Sequence, residues 1–194
     1  MNYLAHLFLA DRTPESLLGN LAGDFVKGSL GDRFSAGVRQ GIIEHRKIDE
    51  FTDTHPAVAA FRRVIAAEHG HYSRVISDVF FDHFLSCDWS DFSNETLEQF
   101  LGSVFTTLDP LIDDMPGHLR FVYPRMRDGG WLESYIDPEG IRIALRNLSR
   151  RFSRAPHLDD AVHLLADARG TLHAHFHRFF PDVMAHAKAI RSRA

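Results

Sequence analysis

An all-α fold, a compact helical bundle, is what this 194-residue chain predicts, and three observations predict it. Apolar residues recur at a period near 3.6 over most of its length, and the strict alternation of a half-buried strand is scarce. Residues that start and stop helices stand at the ends of the periodic runs. Polar residues fall in pairs four apart inside apolar surroundings: Asn2/His6, Asn20/Asp24, His45/Asp49 and Asp78/Asp82. Residues four apart share one face of a helix.

The elements follow in order. NYLAHLFLA carries a first helix over 2–11. Pro14 after Thr13 sits where a second helix begins, and that helix is expected over 14–28, with Gly28 as its stop. A third covers 35–54. Pro56 after His55 opens a fourth that Gly70 ends, giving 56–69, and a fifth spans 71–87. Ser93 to Thr96 offers capping residues for a sixth at 93–107. DPLIDDMPGH, 109–118, reads as a loop, and a helix over 117–128 stops at Gly129 and Gly130. Pro138 after Asp137 opens 138–153, and a last helix spans 157–189 with a break at Pro181. There is no repeat, no low-complexity tract and no linker, so residues 1–194 are expected to form one domain.

Composition narrows the function. Hydrophobic content of 44% with 25% charged residues fits a globular protein. Cys87 is the only cysteine, so no internal disulfide forms, which fits a reducing cytoplasm. MNYLAHLFLADR lacks the basic start and cleavage site of a signal peptide, and no stretch has the ~20 apolar residues of a membrane span. The expectation is a cytoplasmic protein with no membrane contact. The charge is uneven: residues 1–116 carry −9 and residues 117–194 carry +5.

The paired polar residues are the site candidates. A carboxylate or imidazole on a core-facing stripe is costly unless something pairs with it. His45, Asp49 and Asp53 form one stripe, either a solvated charged face or part of a site. Asp78, Asp82 and His83 lie in DVFFDHFLS, too apolar for an exposed helix; the plainer alternative is that Asp82 caps a helix or pairs with an arginine and His83 is a satisfied core histidine. Asp24 follows Gly19 and Gly23, which permit close approach of backbone or ligand. His6 taken alone is a core histidine or a ligand. Taken together, acids and imidazoles on four apolar helices must satisfy one another, and a divalent metal does that most simply.

Arg142, Arg146, Arg150 and Arg154 step at four-residue intervals with Arg151 beside them. This is either a solvated basic face or a docking surface for phosphate or an acidic partner. Nucleic acid is not expected, because the net charge is −4 and no aromatic residues interleave the arginines. His173, His175 and His177 alternate; 173 and 177 share a face. A secondary metal site there is weighed against surface or packing roles, which are favoured.

MNYLAHLFLA, GNLAGDFVKG, HRKIDEFTD, DVFFDHFLS followed by Trp89, and FFPDVMAHA stand in an order that resembles the bacterial acyl carrier protein phosphodiesterases. That family is similar to the HD phosphohydrolases, so the resemblance implies an HD-domain-like helical core. It implies hydrolysis of the phosphodiester between 4′-phosphopantetheine and a serine of holo-acyl carrier protein, with manganese as cofactor and magnesium as a substitute. By motif match it implies that Asp24, His45, Asp82, His83 and His6 hold the metal. Asp24 and Asp49 would be catalytic, Asp49 as base or ligand, and Arg46 would neutralise phosphate charge. The adjacent pair reads Asp82-His83, the reverse of the usual HD order. The arginine face, Arg142 to Arg154, would then receive the acidic carrier protein. The alternatives are a phosphohydrolase for a small nucleotide or phosphomonoester, an inactive helical module that binds an acidic partner, and a metal store or sensor.

Overall fold

The computed structural model describes residues 1–152 and 157–192, and among them there is no strand. The α-helices are α1 (Tyr3–Leu9), α2 (Pro14–Ala22), α3 (Ala36–Thr54), α4 (Pro56–His69), α5 (Ser73–Cys87), α6 (Trp89–Phe92), α7 (Leu97–Leu108), α8 (Gly117–Asp128), α9 (Pro138–Ser149), α10 (Leu164–Asp167) and α11 (Arg169–Arg191). Short 3-10 turns link several of them. Among the described residues no helix is long and apolar enough to cross a membrane.

Local chemistry sets many of the ends. Thr13 accepts a hydrogen bond from the Ser16 amide, and Pro14 holds the first helical position of α2. Thr96 and Gln99 form a reciprocal capping box at α7. Asp137 caps α9 through the Glu139 amide.

α5 is the central helix, with Val79, Phe80, Phe81, Phe84 and Leu85 all buried. Phe81 meets Phe61 of α4 at 4.8 Å between ring centroids and Phe179 of α11 at 5.2 Å. Phe84 meets Phe176 of α11 at 5.7 Å. These aromatic contacts tie α4, α5 and α11 into one core, which also takes in Leu4 and Leu7 of α1. α2 and α3 pack backbone to backbone. A Cβ on Gly19 would lie 2.7 Å from the Gly41 Cα, and one on Gly41 would lie 2.9 Å from the Gly19 Cα.

Several expected boundaries move. α2 stops at Ala22, and residues Gly23–Phe25 tighten into a 3-10 turn before the chain turns extended at Val26. The loop expected at 109–118 begins with a 3-10 helix, Asp109–Asp114. α6 and the 3-10 turn Glu133–Ile136 are too short to show a period. The expected 157–189 helix divides before Arg169 and runs unbroken through Pro181. Phe179, Phe180 and Val183 are buried on either side of that proline, and their packing outweighs the lost hydrogen bond. α9 ends at Ser149, so Arg150 is its C-cap and Arg151 lies beyond it. Arg154 lies outside the described residues.

Gly19→Ala and Gly41→Ala should each force α2 and α3 apart. Overpacking of this kind costs about 1–3 kcal/mol. The expected result is a melting temperature lower by several degrees in a thermal scan, and unchanged melting would contradict the close approach.

Candidate metal centre

α3 is the platform of the site. His45 and Asp49 lie one turn apart on it, with His45 Nε2 3.2 Å from Asp49 Oδ2. α1 brings His6 to the other oxygen of the same carboxylate, with Nε2 3.1 Å from Oδ1. The two imidazoles stack with centroids 3.7 Å apart and planes 17° from parallel. Asp24, in the turn after α2, places Oδ1 3.5 Å from His45 Nε2. His6, His45 and Asp49 thus offer ligand atoms that all lie within 4.8 Å of one another.

Three contacts build this arrangement. A Cβ at Gly23 would fall on the His45 ring, so only glycine lets the imidazole lie against the backbone that leads into Asp24. His45 Nδ1 lies 2.8 Å from the Asn20 carbonyl oxygen. A carbonyl only accepts, so Nδ1 carries hydrogen and Nε2 is the nitrogen turned toward Asp24 and Asp49. The third contact comes from α5. The Leu4 and Ala5 amides donate to the two Asp82 oxygens at 2.9 and 3.0 Å. Those amides are orphan donors at the start of α1, and the buried carboxylate fixes where that helix begins.

The charges are strongly coupled. Burial, and then the neighbouring His45, push His6 down to about 4, so it is neutral at pH 7. Burial alone would lower His45, but hydrogen bonds with Asp24 and Asp49 raise it to about 9. Asp49 is also partly desolvated, yet hydrogen bonds from His45 and His6 hold its carboxyl well below the usual range. The Met1 ammonium lies 2.9 Å from Asp49 Oδ1 and 3.5 Å from Asp78 Oδ1. Its burial is outweighed by Asp78 and Asp49, which raise it to about 11.

The donor set fits a divalent cation. Two imidazole nitrogens and one carboxylate converge, a second carboxylate stands at the rim, and one histidine has its far nitrogen fixed by a carbonyl. His6 Nδ1 is buried without a hydrogen-bond partner among the described residues. That unsatisfied atom leaves His6 without the second-shell fixing that His45 has.

Of the expected site residues, the structure brings together His6, Asp24, His45 and Asp49. Asp82 and His83 were expected among the ligands and stand outside the group. Both Asp82 oxygens serve α1, and burial pushes this carboxyl up to about 7 against those amides. His83 faces another way, with Nδ1 donating to the Tyr135 carbonyl at 2.8 Å. Adjacent helical residues diverge by about 100°, so one pair serves two neighbours. Arg46 was expected to meet phosphate; its Nη2 donates to the Val26 and Gly28 carbonyls, each at 3.0 Å, and so braces the loop after Asp24. Asp53 pairs with Arg62 and Arg74. The Met1 ammonium escaped sequence reasoning, because no side-chain pattern reports on it.

Comparison of the sequence with known proteins gives the family. The family profile described as acyl carrier protein phosphodiesterase matches residues 1–183. The chain belongs to the acyl carrier protein phosphodiesterase family. It is therefore an enzyme of the hydrolase class. Relatives named acyl carrier protein phosphodiesterase in Salmonella agona and Salmonella newport are each 34% identical over 188 residues, covering 96% of this chain and 97% of theirs. No solved structure is a significant match.

Asp82→Ala removes two buried hydrogen bonds to a carboxylate. The expected loss is about 3 kcal/mol of unfolding free energy, with Asp82→Asn, which keeps one acceptor, losing less. Urea unfolding checks this, and unchanged stability in Asp82→Ala would remove its anchoring role.

Proposed function

We propose that this chain hydrolyses the phosphodiester joining 4′-phosphopantetheine to a serine of acyl carrier protein, using a divalent metal held by His6, His45 and Asp49 with Asp24. What carries the reading is the convergence of those side chains in a chain that matches the family over residues 1–183. Water adds its oxygen to phosphorus, the bond from phosphorus to the serine oxygen breaks, and the serine leaves with a proton. The products are apo-carrier protein and free 4′-phosphopantetheine.

A bound divalent metal polarises a phosphoryl oxygen and lowers the pKa of a coordinated water. The second carboxylate, Asp24, makes this donor set richer in oxygen and suits manganese, while the two imidazoles disfavour magnesium, which favours all-oxygen sites. Asp49 is a ligand, since both of its oxygens face imidazoles. Asp24 is the more exposed carboxylate and touches only His45 among the described ion pairs, so it is the one free to take a proton from water. Helices that present histidine and aspartate to one point also support kinship with the HD phosphohydrolases.

The arginine face supports a protein substrate. Arg146 and Arg150 are exposed, and Arg142 reaches Glu139 at 3.2 Å. Arg151 lines a cleft with Asn2, Tyr3 and Tyr135, which sets the basic end of α9 beside the start of α1. An acidic carrier protein docked at that end of α9 would lie beside the start of α1, the helix that carries His6.

The test is mass spectrometry of holo-acyl carrier protein incubated with the protein, manganese or chelator. The expected result is loss of one phosphopantetheinyl group with manganese and no change with chelator. An unchanged carrier mass, together with hydrolysis of a small phosphate ester, would move the reading to a small-molecule phosphohydrolase. His45→Ala and Asp49→Ala should each reduce turnover by more than the roughly 10–100-fold that loss of an outer-shell partner costs. Activity near the parental level in either variant would overturn the ligand set. Reversing charge at Arg146 and Arg150 should raise the Michaelis constant several-fold at low salt and little at high salt, since exposed charges are screened. An equal effect at both salts would return these arginines to a merely solvated face.

A further inference from the structure

A second cluster lies away from this centre, where the end of α5 meets α11. Asp88 is the C-cap of α5, and its amide donates to the Phe84 carbonyl at 2.9 Å. His173 and His177 lie one turn apart on α11. Both turn Nε2 to the same oxygen: His173 is 2.9 Å and His177 3.0 Å from Asp88 Oδ2. The three ligand atoms lie within 4.8 Å of one another. The rings are held from behind. His173 meets the edge of Phe84 at 5.7 Å, and His177 packs on Phe92 at 5.6 Å.

The electrostatics call for a cation. The Asp88 carboxylate is only 16% exposed and sits at the negative end of α5, where an acid is disfavoured; it also precedes the four-residue α6 but makes no capping hydrogen bond to it. Among the described residues its ion-pair partners are these two histidines, with no lysine or arginine. Arg169, one turn before His173, lies over the Phe84 ring. Two histidines four apart on one helix face, with a carboxylate from another element, are a donor set for zinc and its late first-row neighbours. His175, between them in sequence, is not part of the group.

We infer that Asp88, His173 and His177 form a second metal site that binds zinc through two imidazoles and one carboxylate. Three protein ligands leave a position for water. The ion joins α11 to the junction of α5 and α6, so its role is to hold the long C-terminal helix in place. It uses none of the residues of the first centre.

The test is zinc content per chain after equilibrium dialysis against buffered micromolar zinc, read by elemental mass spectrometry. The variants are His173→Gln with His177→Gln, and Asp88→Asn. Each variant should bind one zinc fewer than the parent and lose the zinc-dependent part of the rise in melting temperature. Its turnover of carrier protein with manganese should stay within twofold. Equal zinc content in parent and variants would overturn the site. The unsubstituted chain gives an independent reading: zinc should shift the imidazole resonances of His173 and His177 and leave those of His175 in place. Unmoved resonances at 173 and 177 would overturn it as well, whatever the variants do.

Discussion

The hydrogen bonds from the Leu4 and Ala5 amides to Asp82 are the constraint on which the site depends. α1 has only seven residues, too short to hold itself together in water. Its first amides have no partner of their own. A buried carboxylate on the central helix supplies one, and α1 is then pinned at its N-terminus against α5. His6 sits one turn further on and is carried to α3. Burying that carboxylate costs free energy, which the raised pKa of about 7 reflects. The cost falls on α5, and the gain appears as the placement of an imidazole on another helix.

Around Asp49 the balance of charge is local and close. Asp24, Asp49 and Asp78 would repel one another in a half-buried space. The Met1 ammonium, the raised His45 and Arg62, 3.5 Å from Asp78, offset them. A divalent cation at Asp49 would take over the compensation that His45 and the ammonium provide. The group is therefore arranged so that cation and protons compete for the same oxygens, as metal sites with titrating ligands do. Gly23 and the Asn20 carbonyl hold His45 in one orientation throughout.

Much of this was legible in the sequence, and the reason is periodicity. His45 and Asp49 share a face because they are four apart, and the structure has them in contact. The glycines at 19 and 23 signalled close approach, and both are found where a Cβ has no room. Periodicity names a face and not the neighbour opposite it. Asp78 and Asp82 share a face on α5, yet Asp78 turns to Arg62 and the Met1 ammonium while Asp82 turns to backbone. Backbone amides and a terminal amine leave no mark in a pattern of side chains, so an anchoring acid reads like a ligand. The same blindness hid Asp88 as the partner of His173 and His177. Pro181 misled for a different reason: local propensity ends helices, and burial of the phenylalanines before it kept this one going.

The division of charge along the chain becomes a division in space. The acidic first part, residues 1–116, folds into α1 to α7 and holds His6, Asp24, His45 and Asp49. The basic last part supplies α9, whose end meets α1 through Arg151 and Tyr3 in a shared cleft. Steering by charge acts over about a Debye length, ~8–10 Å at physiological salt. On the proposed reading Arg151, which lines the cleft, is the arginine nearest a partner seated there, while Arg142, Arg146 and Arg150 lie outside its lining. By holding α1 against α5, the Asp82 anchor also fixes the α1 side of that cleft, where Asn2 and Tyr3 lie.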